Sequence, residues 1–292
     1  RKNGSYLKGR TMLRILVDGS ADMPDGWAKL YQLDILPMPI QIGGKTYYQG
    51  EDITTDEFYA LISEGENYPK SAAPSPYRIK DFIEKISDVG DSVLSLNVSG
   101  KMSSTISMVH YAAKELKDKI KVYPFDSQAG SAVLAFMARE ARLRDRAGET
   151  IEEIQNRLES MRDKVMVVLT LDSLEFAYRS GRVGALAALL SSLLKIKPVI
   201  SLQEGSLEVS DKVRTRKKSL ESLISKVKDK FGSEPIKVAI VHSQDFSTAA
   251  QLKEMVDKTL NAAETIFTEL SISVAANLGP KTVGIVAIPD EI

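Results

Sequence analysis

Short apolar runs alternate with polar loops and amphipathic segments over residues 15–147, and that rhythm limits the possible folds more than any other feature. Ile15-Leu-Val17, Ser92-Val-Leu-Ser-Leu96 and Val122-Tyr-Pro-Phe125 read as short strands. They run into polar loops at Asp18-Gly-Ser-Ala-Asp-Met-Pro24, Val98–Thr105 and Asp126-Ser127. Helical segments follow: Trp27–Leu33, a helix beginning near Ser103, and a long one over Gly130–Ala147. In the second of these, Ile106, Val109, Ala113, Leu116 and Ile120 recur at helical spacing. Strand–helix alternation predicts a mainly parallel sheet covered by helices. Ligand sites in such sheets collect at the carboxyl ends of the strands, where these polar loops lie.

The remaining segments of the first half are read by local chemistry. Leu36–Ile42 is extended, with prolines that suit a sheet edge. Gly43-Gly44 reads as a hairpin turn into Tyr47-Tyr48. Thr55 is placed to cap a helix through Glu64, and another helix covers Tyr77–Ile86 after the loop Pro69–Pro76. Thr150 and Glu153 have the spacing of a capping box at the start of a further helix.

From Lys164 the pattern changes. A strand over Lys164–Leu171 precedes helical segments at Leu174–Tyr178 and Ala185–Leu194, which surround the loop Arg179–Gly184. Pro198–Leu202 and Leu207–Val213 read as a hairpin with Gly205 in its turn. Helices over Arg216–Phe231 and Phe246–Leu260 interleave with strands at Val238–Val241, Thr265–Leu270 and Val283–Ile288. This half is α+β. The expected organisation is a tail or linker at residues 1–10, an N-terminal α/β domain over 11–163, and a C-terminal α+β domain over 164–292. The chain opens on Arg, so the basic tail also fits a piece excised from something longer.

Composition narrows function. The 292 residues carry 39 acidic and 39 basic side chains, so the formal net charge is zero and gives no global pull toward nucleic acid. There is no Cys, which excludes thiol nucleophiles and thiolate metal sites. His110 and His242 are the only histidines, and neither has metal-ligand spacing, so no metal and no catalytic residue is assigned. No apolar run reaches transmembrane length, and the expected compartment is the cytoplasm.

The groups gathered at the strand ends are hydroxyls and backbone amides, which hold an anion but do not transfer protons. Two readings of Ser103 and Ser104 stand: simple helix capping, or part of an anion site at a helix N-terminus. A nucleophilic Ser103 would need a base, and neither histidine is placed to be one. Met102, Met108, Met137 and Met161 suit either an adaptable pocket or ordinary core. Gly279–Gly284 lacks the glycine spacing of a phosphate loop and reads as a turn. The basic cluster Lys212-Val-Arg-Thr-Arg-Lys-Lys218 suits a partner-docking face as well as it suits DNA.

In order along the chain, several of these pieces resemble the DegV family of bacterial fatty-acid-binding proteins. They are Asp18–Pro24, Leu36-Pro-Met38, Tyr48–Asp52, Ser71-Ala-Ala-Pro-Ser75, Ser99–Thr105, Ser180-Gly-Arg-Val183 and Ile196-Lys-Pro-Val-Ile200. The resemblance implies a two-domain DegV-like α/β fold with a lipid tunnel between the domains. It implies a non-enzymatic carrier without a cofactor, whose ligand is a long-chain fatty acid. The carboxylate falls to Ser71 and Ser103, with Ser104 in place of the family's glycine. Ser20, Ser99, Thr105, Ser127 and Asn277 are further pocket candidates. Arg182, Arg214 and Arg216 are candidates for docking a partner, expected from the family to be a fatty-acid kinase serving phospholipid synthesis, with transient membrane contact and no nucleic acid. The family's late His-x-Gly-Pro-Gly element reads Asn277-Leu-Gly-Pro-Lys281 here, which sets the kinase link apart from the lipid link. The competing readings are a dihydroxyacetone-kinase-like enzyme or a domain of a kinase fusion, and a DNA-binding regulator using the basic cluster.

Overall fold

The computed structural model describes residues 13–63, 67–184, 186 and 196–291. The expected tail and most of the helix expected over Ala185–Leu194 lie outside those residues. The chain opens with β1 (Arg14–Asp18), α1 (Trp27–Leu30), β2 (Leu33–Leu36), β3 (Pro39–Ile42) and β4 (Lys45–Tyr48). The extended segment expected over Leu36–Ile42 is the last residue of β2 and all of β3, separated at Pro37-Met38, and the helix expected to reach Leu33 stops at Leu30, short of β2. β2 lies at the edge of one sheet and β3 at the centre of another. Proline supplies no N–H to a ladder, so the first strand ends where Pro37 begins.

Helices α2 (Thr55–Ser63) and α3 (Pro76–Ile86) flank β5 (Lys70–Ser71). The cap of α2 is Thr54 rather than Thr55. Thr54 N donates to Glu57 Oε2 at 2.8 Å, and Glu57 N donates to Thr54 Oγ1 at 3.3 Å. Next come β6 (Ser92–Asn97), α4 (Thr105–Leu116), β7 (Lys121–Asp126), α5 (Ala132–Ala147) and α6 (Ile151–Arg162). The Thr150–Glu153 capping box of α6 is formed.

The second half runs β8 (Met166–Thr170), α7 (Glu175–Ser180), β9 (Val183–Gly184), β10 (Lys197–Gln203), β11 (Ser206–Val213), α8 (Arg216–Phe231) and β12 (Ile236–His242). It ends with α9 (Phe246–Thr259), β13 (Ala262–Glu269), α10 (Ile272–Leu278) and β14 (Val283–Pro289). Helix α10 has no counterpart in the sequence reading, because its seven residues span barely two turns and its Ser271 makes no side-chain cap bond.

Two main sheets form. The first has the order β2-β1-β6-β7 with every pairing parallel, as the alternating rhythm predicts. The second is seven-stranded and mixed, in the order β13-β12-β14-β8-β10-β11-β9, which suits the α+β reading. Strand alternation decides which core each side chain joins. In β8, Val168 packs with α8 and α9, while Val167 and Leu169 turn to the opposite core. In β1, Leu16 meets α3 and α4, while Ile15 and Val17 face the same shared core. Both faces of the inner strands β1, β8, β12 and β14 are buried, so these read as near-continuous apolar runs.

Helix α5 lies in that shared core. Ala132 through Ala138 are all buried, as expected of a helix apolar on every side. Arg139 of α5 reaches Glu264 of β13 through paired bonds at 2.6 and 2.8 Å. The two sheets and their helices therefore stack around one buried helix, with the polar loops of the first sheet turned toward the second half.

Candidate functional site

A cavity of about 410 Å³ opens where the carboxyl ends of the first sheet meet the second half. The β1 loop contributes Ser20, the β5 loop Ser71, Ala72 and Ala73, and the β6–α4 loop Val98 and Gly100 through Ser104. Gly130 and Ser131 come from the turn before α5. Ser273, Val274, Asn277 and Leu278 of α10 join this side through bonds to Gly19 and Ser71, and across from them stand Val167 and Leu169 of β8 and Leu202 and Leu207 of the β10–β11 hairpin. One wall is hydroxyl-rich and the other apolar, the composition that fits an amphiphile.

The expected head-group residues gather here. Ser71 Oγ accepts a 2.9 Å bond from Asn277 Nδ2, which also donates to the Ser273 carbonyl at 2.6 Å. With an acceptor position occupied, Ser71 keeps its hydroxyl proton for another partner. Ser103 Oγ lies 2.8 Å from Thr105 Oγ1 and accepts from Thr105 N at 3.2 Å, so it also holds the first N–H of α4. Ser104 occupies the cap position without a side-chain cap bond and stands exposed at the opening. The capping and lining roles thus fall on neighbouring residues, and Ser103 has both.

The additional pocket candidates divide. Ser20 and Asn277 line the cavity. Ser99 is buried and donates to the Gly205 carbonyl at 2.6 Å, tying the loop to the hairpin tip rather than facing the cavity. Thr105 is buried against Ser103. Ser127 bonds Ala129 N and O at 3.1 and 3.2 Å and so shapes its turn. Of the docking candidates, Arg182 lines the cavity opening, and Arg214 is exposed and outside it. Arg216 is committed inside the second half, to Asp245 at 3.0 Å and the Lys281 carbonyl at 2.6 Å.

Sequence reasoning missed Ser107, Ser131 and Ser273. Ser107 was within reach, one helical turn beyond Ser103 and Ser104. Ser131 takes an unusual positive φ of 59°, a conformation invisible in its residue type. Ser273 belongs to the helix the sequence did not announce.

Buried carboxylates stand behind the polar wall. Asp18 accepts from Val98 N at 2.6 Å, from Ser20 N at 2.9 Å and from the Ser20 hydroxyl. Burial pushes its carboxyl above the usual range, against those bonds. Asp22 accepts from Ser271 N at 2.6 Å and from the Ser131 hydroxyl. Burial, aided by the nearby Asp18 charge, raises its pKa to about 6. Among the described lining residues the charged ones are Lys101 and Arg182, both exposed at the opening. No His, Tyr, Asp or Glu lines the cavity among those residues, and no group of His, Cys, Asp or Glu among them is placed to hold a metal.

A two-part α/β chain whose strand-end serines face an apolar wall across a cavity has the form of a small-molecule-binding protein. Comparison with known proteins gives the family. The model of the DegV family, described as an uncharacterised protein family, matches residues 12–290, and the chain belongs to that family. A DegV domain-containing protein of Listeria monocytogenes is 32% identical over 85% of this chain and 89% of its own length. Among solved structures, a DegV family protein from Thermus thermophilus, described by its fatty acid binding, superposes with a TM-score of 0.86 at 28% identity. It covers 96% of this chain and 100% of that one. The fatty acid binding DegV family protein of Streptococcus agalactiae gives a TM-score of 0.85 at 27% identity, over 95% of this chain and 99% of that chain. No helix among the described residues is long and apolar enough to cross a membrane.

Proposed function

We propose that this protein is a non-enzymatic carrier of one long-chain fatty acid. The carboxyl group sits among Ser71, Ser103 and Ser104, and the acyl chain lies along Leu169, Leu202, Leu207 and Leu278. The observation that carries the reading is the cavity itself, with its division into a serine wall and an apolar wall. The fatty-acid-binding descriptions of the Thermus and Streptococcus relatives support it. Its working units are the N-terminal residues 11–163 and the C-terminal residues 164–292.

Burial of about fifteen methylenes at about 0.8 kcal/mol each gives a gross gain of about 12 kcal/mol. Ordering and association consume much of it. Chain burial therefore sets affinity, and the serine wall sets orientation and chemical class. In this reading a partner, with a fatty-acid kinase as the expected class, meets the opening where Lys101 and Arg182 stand, with Arg214 on the adjoining face.

Mass spectrometry of gently purified protein tests the proposal. One fatty acid per chain, released on denaturation, is the expected result. Protein that carries no lipid and takes up neither palmitate nor oleate overturns it.

A further inference from the structure

The buried serines of the polar wall have already given their protons away. Ser20 Oγ donates to Asp18, Ser131 Oγ donates to Asp22, and Ser273 Oγ donates to the Gly19 carbonyl at 3.0 Å. A hydroxyl carries one proton, so each of these three faces the cavity only as an acceptor. They form one patch, because Ser131 N bonds the Ser20 carbonyl at 3.0 Å and the Ser273 hydroxyl meets the residue preceding Ser20. Ser71 is the opposite case, since Asn277 donates to it and its proton is left for a ligand. An acceptor patch beside a donor hydroxyl is complementary to a head group with one acceptor and one donor hydrogen. A carboxylate has no donor.

The charges point the same way. Asp18 and Asp22 each lie one hydroxyl behind the patch, and both are fully buried. Asp126, in the loop after β7, is held by Gly100 N and Gln128 N. Helix α10 brings Ser273, Val274, Asn277 and Leu278 to the cavity, none of them charged. Lys101 and Arg182 line the same cavity, exposed at its opening, where they also adjoin Glu208. The N-terminus of α4 offers a fractional positive charge, set against the negative charge that Asp22 carries above about pH 6 and the buried Asp18 carboxyl behind Ser20. Desolvation and like charge both disfavour ionisation of an acid placed there.

We propose that the protein holds its ligand as the neutral carboxylic acid, taking one proton from solvent on binding. Asp22, acting through Ser131, and Asp18, acting through Ser20, are the positioning residues that select this form. The acid carbonyl accepts from Ser71, and the acid O–H donates to the buried serine patch. The inference rests on the fatty-acid reading, adds the protonation state to it, and turns the acid O–H from Ser103 and Ser104 toward the buried patch. It also gives the selectivity of the site: a fatty alcohol or primary amide retains the donor hydrogen, whereas a methyl ester does not.

Carbon-13 NMR of the protein loaded with palmitate labelled at its carboxyl carbon tests this. The expected spectrum has one bound resonance at the neutral-acid position, unmoved from about pH 7 to about pH 8, where Asp22 and a free carboxyl of ordinary pKa are both ionised. A bound resonance at the ionised position, or one titrating with the ordinary carboxyl midpoint, overturns the proposal while leaving fatty-acid binding intact. Absence of any bound resonance overturns both. In Asp22→Asn the amide can donate to Ser131, turning that hydroxyl toward the ligand as a donor. The bound resonance should then shift toward the ionised position within the same pH range. An unchanged spectrum in a folded, loaded Asp22→Asn protein removes Asp22 from the selection and overturns its assigned role.

Discussion

Helix α10 and the β10–β11 hairpin both bring the second half of the chain to the cavity, but they are held by different means. Along α10, Ser271 N reaches Asp22, Ser273 N reaches Gln49 Oε1 at 2.9 Å, Ser273 Oγ reaches the Gly19 carbonyl, and Asn277 reaches Ser71. These bonds join residues more than two hundred positions apart. The hairpin presents Leu202 and Leu207, and its tip is met by the Ser99 bond to Gly205, whose φ of +83° suits glycine in a tight turn. Directional bonds fix the wall to which the proposed function assigns the head group, and non-directional packing serves the wall it assigns to the acyl chain.

If the polar wall is built on buried carboxylates, acid should affect it first. The pKa of Asp22 is raised to about 6, against about 3.9 for an unfolded Asp. Between those values the folded protein binds more protons than the unfolded chain, so this group makes folding less favourable as pH rises. Acidification from about pH 7 to about pH 5 should therefore stabilise the empty protein, by about 1.3 kcal/mol from this residue. Urea denaturation at the two pH values measures the gain, and Asp22→Asn should remove most of it. A parent whose stability falls over that interval breaks the link between Asp22 and the polar wall.

A pair of substitutions separates the two kinds of attachment. Gln49→Ala removes the acceptor of Ser273 N and the donor to the Gly19 carbonyl, and should cost about 2 kcal/mol. Ser99→Ala leaves the Gly205 carbonyl beside a loop tip and should cost about 1 kcal/mol. Midpoints of chemical unfolding give both numbers. Equal losses would mean that the hairpin is held as firmly as α10.

The legibility of the chain follows the same division. Residues 15–126 disclosed the parallel sheet because each strand, loop and helix is local and periodic. Ser71, Ser103, Ser104, Ser20 and Asn277 were picked out in advance, and all of them line the cavity. Ser99, Thr105 and Ser127 looked equivalent by residue type, yet their hydroxyls are spent on Gly205, Ser103 and Ala129. No local pattern separates a serine that ties a loop from one that faces a cavity. Helix α10 was hidden by its short length, and Asp22 by the fact that its partners, Ser131 and Ser271, are distant in sequence. The acceptor patch is a property of long-range bonds, so the residue types alone could not reveal it.

The finest test sets one residue from each wall against the other. Leu207→Ala removes apolar contact with the acyl chain and should weaken palmitate binding while leaving the ranking of acid over methyl ester unchanged. At about 0.8 kcal/mol per methylene no longer covered, loss of contact with two methylenes would cost about 1.6 kcal/mol, or roughly fifteenfold in affinity. Ser71→Ala removes a donor to a neutral carbonyl, worth about 1 kcal/mol, or roughly fivefold. The ester also offers a carbonyl, so Ser71→Ala should weaken acid and ester alike. The preference between them then rests on the patch formed by Ser20, Ser131 and Ser273. Were the bound head group a carboxylate, the Ser71 bond would be charge-assisted, at about 1.5–3 kcal/mol, and the loss would fall mainly on the acid. Displacement titrations of palmitate and methyl palmitate against the parent and both variants resolve the two cases. A Ser71→Ala protein that loses tens of fold for the acid and little for the ester would place a charge where the buried serines leave room only for a proton.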